Sequence, residues 1–358
     1  MVSLVAVLFV RRWFRRHAHN YSADMPQRFH KGAIPRLGGV GMLLGWLVGL
    51  TVLAVLPRLG VFLGVSIDWG LYAGLVVVVG MVVLVGAAED VTQRVSVRWR
   101  LACTGLAGVL AVWWLGVSVP RIGWPLLDMW WVSVPWLGML LAVVAIMGLT
   151  HAFNIIDGYN GLAGLVAVLI GLALTHISLQ VGDRQLAALS LALVATTAGF
   201  LVWNYPRGLI FAGDGGAYLW GVVIALISIL LVQRHPMVSP WFVVLLLIYP
   251  VWETLFSMYR KLARGDSPGL ADALHLHQLI YRRLVRAMFD DDEVRDLLSR
   301  NNRTTPYLIA FAMTSVAPAV FFWSNTWVLV FFTALFAVTY VSAYLMIVRF
   351  KIPDWLKR

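Results

Sequence analysis

The chain has 358 residues, 61% of them hydrophobic and 13% charged, with a formal net charge of +11. A soluble domain is roughly half apolar and about a quarter charged, so these proportions exclude one, and apolar runs that are continuous instead of alternating exclude a β-barrel. The single cysteine, Cys103, excludes an internal disulfide and a thiolate zinc centre.

Residues 1–10 are apolar and precede Arg11, Arg12, Arg15 and Arg16, but they make only about half of the roughly 20 residues a span requires. They read as a short first helix with its N-terminus outside, or else as an interfacial segment. The positive cluster follows the apolar run instead of preceding it, which is the wrong order for a cleaved signal peptide. Full-length apolar segments follow at 37–56, 69–88, 101–119, 136–153, 161–182, 185–203, 215–232, 237–258, 307–322 and 326–348, and only the eighth carries an interior charge, Glu253. The fold class is therefore all-α, a polytopic integral membrane protein of about 11 transmembrane helices, or 10 if residues 1–10 do not span. No repeat of fixed period is visible, so residues 1–358 read as a single transmembrane domain.

The basic residues fall on one side of these spans. Loops 11–36, 89–100, 204–214 and 259–306 and the tail 349–358 hold 24 of the 28 Lys and Arg, leaving only Arg58, Arg121, Arg184 and Arg234 for the other side. The positive-inside rule puts those loops and the C-terminus in the cytoplasm. The charge thus follows from topology and gives no reason to invoke a nucleic-acid partner.

Polar motifs gather on that same face. The segment 69–88 leads into Glu89-Asp90, a pair of hard oxygen donors suited to Mg²⁺, or ordinary interfacial polarity. The sequence HAFNIIDGYNGLAG places Asn154, Asp157 and Asn160 at intervals of three, on one helical or turn face, with turn formation and capping as the alternative. FAGDGG lets the backbone approach a ligand closely and offers Asp214 either as a third carboxylate or as the N-cap of the next helix. In HLHQLIYRR, His275 and His277 point the same way only on a non-helical stretch, and Arg282 and Arg283 add donors for phosphate oxygens. The cationic run of Arg28, His30, Lys31 and Arg36 precedes Gly38-Gly39. The acidic run Asp290-Asp291-Asp292-Glu293 reads as the first turn of a short amphipathic helix.

Taken together, DMPQRFHKGAIPRLGG, Glu89-Asp90, NIIDGYNGLAG, FAGDGG and HLHQLIYRR resemble, in order and spacing, the polyprenyl-phosphate N-acetylhexosamine-1-phosphate transferases. PRLGG and HLH followed by LIYRR resemble the branch that starts O-antigen and enterobacterial common antigen synthesis more than the lipid I synthase, the alternative within the family. Three positions depart from the family pattern: Glu89 stands for the first Asp of a pair, Asn160 for the second Asp of a turn, and Gln278 for a third histidine.

The resemblance implies a multi-pass enzyme of the bacterial inner membrane whose cytoplasmic loops 11–36, 89–100, 154–160, 204–214 and 259–306 form the active site. It would transfer a sugar-1-phosphate from a UDP-N-acetylhexosamine, N-acetylglucosamine as first choice, to undecaprenyl phosphate with release of UMP. It implies catalytic roles for Glu89, Asp90, Asp157 and Asp214, with Mg²⁺, or Mn²⁺ in its place, on Asp214, Asp90 and Glu89. Substrate contacts would come from Arg28, His30, Lys31, Asn154, Asn160, Asn204, His275, His277, Arg282 and Arg283. Small residues in the spans admit a homodimer. Outside this family, a lipid transporter or an inactive relative is the competing expectation.

Overall fold

The computed structural model describes residues 1–14, 34–61, 64–265, 274–281 and 295–349, with the side chains of 295–300 left aside. Among them every regular element is helical. The elements are α1 (Val2–Phe14), α2 (Gly38–Val55), α3 (Trp69–Thr92), α4 (Val97–Leu115), α5 (Pro125–Val132), α6 (Pro135–Ile156) and α7 (Leu162–Gln180). They continue as α8 (Arg184–Asn204), α9 (Gly213–Arg234), α10 (Pro240–Leu246), α11 (Ile248–Ala263), α12 (Leu276–Leu279), α13 (Arg295–Phe321) and α14 (Thr326–Val348).

Each apolar segment of the sequence coincides with a helix, but among the described residues eight helices are long and apolar enough to cross a membrane, or nine if a bent pair is one span. Two expected spans fall short for separate reasons. Helix α4 begins at Val97 instead of residue 101 and takes Arg98 and Arg100 into its first turn. Helix α1 has 13 residues, about 20 Å at 1.5 Å per residue against a hydrocarbon core of about 30 Å. It packs antiparallel to α2, with Val7 on Gly41 and Ser3 on Gly45, and Ser3 donates to the Thr196 carbonyl of α8. Residues 1–10 therefore pack into the bundle against α2 and α8. The eighth segment is the bent pair: α10 and α11 meet at 69°. Pro250 supplies the physical cause, because it offers no N–H to the Leu246 carbonyl one turn earlier and its ring crowds that carbonyl.

Helix α9 fills the centre of the bundle, with every residue from Gly215 to Val232 buried. It can sit there because glycines let its neighbours approach backbone to backbone. Gly39 of α2 and Gly86 of α3 lie against the Asp214-Gly215-Gly216 backbone, and Gly221 of α9 lies against Thr150 of α6.

The loops sort to the two ends of this bundle as the charge pattern expects. At one end Arg121 donates to the carbonyls of Val232, His235, Pro236 and Val238, Asp183 pairs with Arg234 and His235, Gln185 donates to the Ser66 carbonyl, and Ser239 donates its N–H to Trp323. At the other end meet Arg36, Asp90, Asn154 to Asn160, Phe211 to Asp214, His275 to Gln278 and Asn301.

Candidate active site

The second of these ends encloses a cavity of about 260 Å³, lined by polar groups from six separate stretches of chain. Its floor is the N-terminus of α9. Residues 211 and 212 lie beside the start of α2, where the N–H groups of Gly38 and Gly39 donate to the Phe211 and Ala212 carbonyls and Phe211 N–H donates to Pro35. Gly213 then turns with φ of +70° into α9. A Cβ there would collide with the Arg36 carbonyl and the Asp90 carboxylate, so the position demands glycine for its conformation and for its space.

Glu89 and Asp90 make separate contacts. Neighbours on a helix are rotated by about 100°, which sends Asp90 to α9 and Glu89 to the α3–α4 turn. Both Asp90 oxygens accept backbone N–H groups, from Asp214 at 2.9 Å and Gly215 at 3.0 Å, and Glu89 accepts Val95 N–H at 2.7 Å. The capping role that the sequence allows for Asp214 thus belongs to Asp90, and Glu89 lies outside the cavity lining.

Asp214, in the first turn of α9, is held by Arg100 Nη1 at 2.5 Å, by Asn154 Nδ2 at 2.8 Å and by Tyr218 hydroxyl at 3.4 Å. Asp157 is the exception among the carboxylates. It follows the last residue of α6, lies half-buried in the cavity, and has no side-chain hydrogen bond among the described residues. Burial, reinforced by the charge of Asp214, pushes its carboxyl up to about 7.

Asn160 and Asn204 shape the loop that carries Asp157. Asn160 is 2% exposed; its Nδ2 donates to Asn302 Oδ1, its N–H to Asn301 Oδ1, and its carbonyl accepts from Thr305. Asn204 accepts Gly161 N–H and donates to the Ile210 carbonyl. Asn204, expected to touch substrate, is buried outside the cavity lining with both side-chain ends engaged by backbone.

His275 has an extended backbone (φ −64°, ψ 150°) and begins the short helix α12, which contains His277. The two rings stack in parallel, 5.3 Å apart with 3° between planes. Gln278, at the position where a third histidine stands in the resembled family, completes a capping box with His275. The ligand candidates Arg28, His30, Lys31, Arg282 and Arg283, and the acidic run at 290–293, lie outside the described residues.

Sequence reading missed four contributors: Arg36, Arg100, Asn301 and the buried Glu253. Arg36 stood in the cationic run before Gly38-Gly39 without a site role of its own, and Arg100 sits at the mouth of an apolar run, where positive charge is expected anyway.

The carboxylates supply hard oxygens, one of them without a hydrogen-bond partner among the described residues. No group of three or more His, Cys, Asp or Glu among those residues is arranged to hold a metal. Mg²⁺ ordinarily takes one or two protein carboxylates and completes its shell with water and substrate phosphates.

Residues 72–232 match the model of glycosyl transferase family 4. Over 286 residues the chain is 27% identical to a protein of Bacillus subtilis (strain 168) named a probable undecaprenyl-phosphate N-acetylglucosaminyl 1-phosphate transferase, covering 77% of this chain and 75% of that one. It is 26% identical over 260 residues to the undecaprenyl-phosphate alpha-N-acetylglucosaminyl 1-phosphate transferase of Yersinia pestis, covering 71% and 67%. It is 30% identical over 214 residues to the phospho-N-acetylmuramoyl-pentapeptide-transferase of Moorella thermoacetica, covering 59% and 64%.

Proposed function

We infer, from the premise that the chain belongs to glycosyl transferase family 4, that it transfers N-acetylglucosamine-1-phosphate from its UDP-sugar to undecaprenyl phosphate. The observation that carries the reading is the gathering of Asp90, Asp157, Asp214, His275, His277 and Arg36 around one cavity at one end of a membrane bundle. The charge asymmetry of the loops supports a cytoplasmic position for that end.

In this reaction an oxygen of the lipid phosphate forms a bond to the β-phosphorus of the UDP-sugar as the bond from that phosphorus to the bridging oxygen breaks. The bridging oxygen leaves with UMP. Two anions must be brought together, so the protein contributes position and charge more than covalent chemistry. Arg36, His275 and His277 supply cationic and N–H donors to the phosphates, and the N-terminal turn of α9 adds the positive end of a helix dipole. Asp157 and Asp214 are the groups that would hold Mg²⁺, which would supply positive charge to offset that developing on the leaving UMP.

Asp90 is assigned a positioning role. Its two oxygens hold the first N–H groups of α9, and a dianionic phosphate, with its second pKa near 6, scarcely requires a base at neutral pH.

A transport reading has less support. No charged residue lies between Asp214 and Arg234 along central α9, and the buried Glu253 binds His275 of the same cavity. The test is mass spectrometry of the lipid extract after incubating purified protein with undecaprenyl phosphate, Mg²⁺ and each of a panel of UDP-N-acetylhexosamines. The expected product is undecaprenyl diphosphate bearing N-acetylglucosamine. Its absence with every donor, from folded protein, would overturn the reading.

A further inference from the structure

Glu253 lies in α11, about one and a half helical turns beyond the bend, and its side chain is wholly buried. An acid in such a place is costly unless its lone pairs are matched by donors. The donors come from two distant parts of the chain. Oε1 accepts the backbone N–H of Leu276 at 3.0 Å and faces His275 Nδ1 at 3.1 Å, and Oε2 accepts the Tyr340 hydroxyl of α14 at 2.8 Å. One carboxylate thus ties together the bent helix, the last helix of the bundle and the two-histidine loop.

The hydrogen-bond roles follow from the donors available. An ionised carboxylate only accepts, and the Leu276 N–H only donates, so Nδ1 of His275 carries the proton in the pair with Glu253. Nε2 is then the nitrogen left to meet a ligand, and it donates to a phosphate oxygen only when the ring carries its second proton there. The ring's plane is fixed at the same time, and with it the parallel stack on His277, whose own ring meets Tyr159 edge-on at 5.6 Å.

We propose that Glu253 is the positioning residue of the phosphate-binding histidines, holding the Nδ1 proton and the ring orientation of His275 from inside the membrane helix so that Nε2 faces the ligand. This rests on the reading of His275 as a phosphate ligand in the transferase reaction. An apolar residue of similar size would fill the same space without the cost of burying a charge, and it would leave Leu276 N–H, His275 Nδ1 and Tyr340 hydroxyl without their acceptor.

The test combines activity with a spectroscopic signature. Glu253→Leu removes the acceptor and is expected to lower kcat/KM by about 10–100-fold, the usual scale for loss of a group that orients a ligating histidine. Glu253→Gln keeps an acceptor oxygen and is expected to retain activity within about tenfold of wild type. His275→Ala is expected to lose at least as much as Glu253→Leu, and the double variant no more than His275→Ala alone, because the two act as one unit. In ¹⁵N-histidine-labelled protein in nanodiscs, with the His275 signal identified by its loss in His275→Asn, wild type is expected to show the proton on Nδ1. Glu253→Gln serves as the folded reference if Glu253→Leu does not fold.

Multiplicative losses in the double variant, full activity of a folded Glu253→Leu, or a His275 protonated on Nε2 alone would each overturn the proposal. If wild type forms no lipid product, the transferase reading fails. The nitrogen spectrum still decides whether Glu253 sets the histidine.

Discussion

Asn160→Asp restores the residue that the resembled family places at this turn, and the structure predicts that it damages this chain. Asn160 Nδ2 donates to Asn302 Oδ1 at 3.0 Å, and Asn302 uses its own Nδ2 on the Pro206 carbonyl. A carboxylate at position 160 would set one acceptor against another in a site that is 2% exposed. Losing the hydrogen bond and leaving buried groups unsatisfied costs about 1–3 kcal/mol. Protonation would restore a donor, so the burial pushes the new carboxyl's pKa above the unfolded value of about 3.9. A carboxyl raised on folding costs stability as pH climbs past the unfolded pKa and costs most above the folded one. The expected deficit is about 2–3 kcal/mol at pH 8 and below about 1 kcal/mol at pH 5, a drop in Tm on the order of 5 °C at the higher pH. The assay is thermal unfolding in detergent micelles at the two pH values, with Asn302→Ala added to remove the opposing oxygen and recover part of the loss. A Tm unchanged at pH 8, or a deficit of the same size at both pH values, would refute the reasoning.

Asp157 carries the opposite experiment. Its carboxyl stands at about 7 against an ordinary 3.8, so wild type loses stability between about pH 4 and pH 7, and Asp157→Asn, which cannot ionise, does not. Three units at 1.36 kcal/mol each set a ceiling of about 4 kcal/mol, and water in the cavity reduces this to about 1–2 kcal/mol in favour of the variant at pH 8 without divalent cations. Thermal melts at pH 4 and 8 check it, and added Mg²⁺ should stabilise wild type at pH 8 more than the variant. Gly213→Ala forces a side chain into a φ of +70° and against Asp90; a cost of at least about 3 kcal/mol is expected, read as loss of folded protein on size-exclusion chromatography.

Every apolar segment of the sequence became a helix, because a chain in lipid must satisfy its backbone internally and has few ways to do so. The two-ended sorting of loops was equally legible from the Lys and Arg. What was hidden depends on partners distant in sequence. Glu89 and Asp90 look like a ligand pair until the neighbouring helix shows that Asp90 caps α9, a contact spanning 124 residues. Arg100 looks like a topology signal until it meets Asp214, 114 residues away. Glu253 stood out as the one interior charge of a span, but its role depends on a loop and on a helix that share no motif with it. The bend above Glu253 was readable in principle, since Pro250 lies inside the segment and removes a helical hydrogen bond.

UMP release by purified protein supplied with UDP-N-acetylglucosamine and undecaprenyl phosphate is the most direct measure of the proposed reaction. Wild type, Asp157→Ala, Asp214→Ala and the opposite-end control Gln185→Ala would be compared with and without Mg²⁺. The predicted result is release that requires both the lipid and the metal, falls by at least about 100-fold in the two aspartate variants and is unchanged in the control. Undiminished release from folded Asp157→Ala and Asp214→Ala would contradict the assignment of the reaction to this cavity.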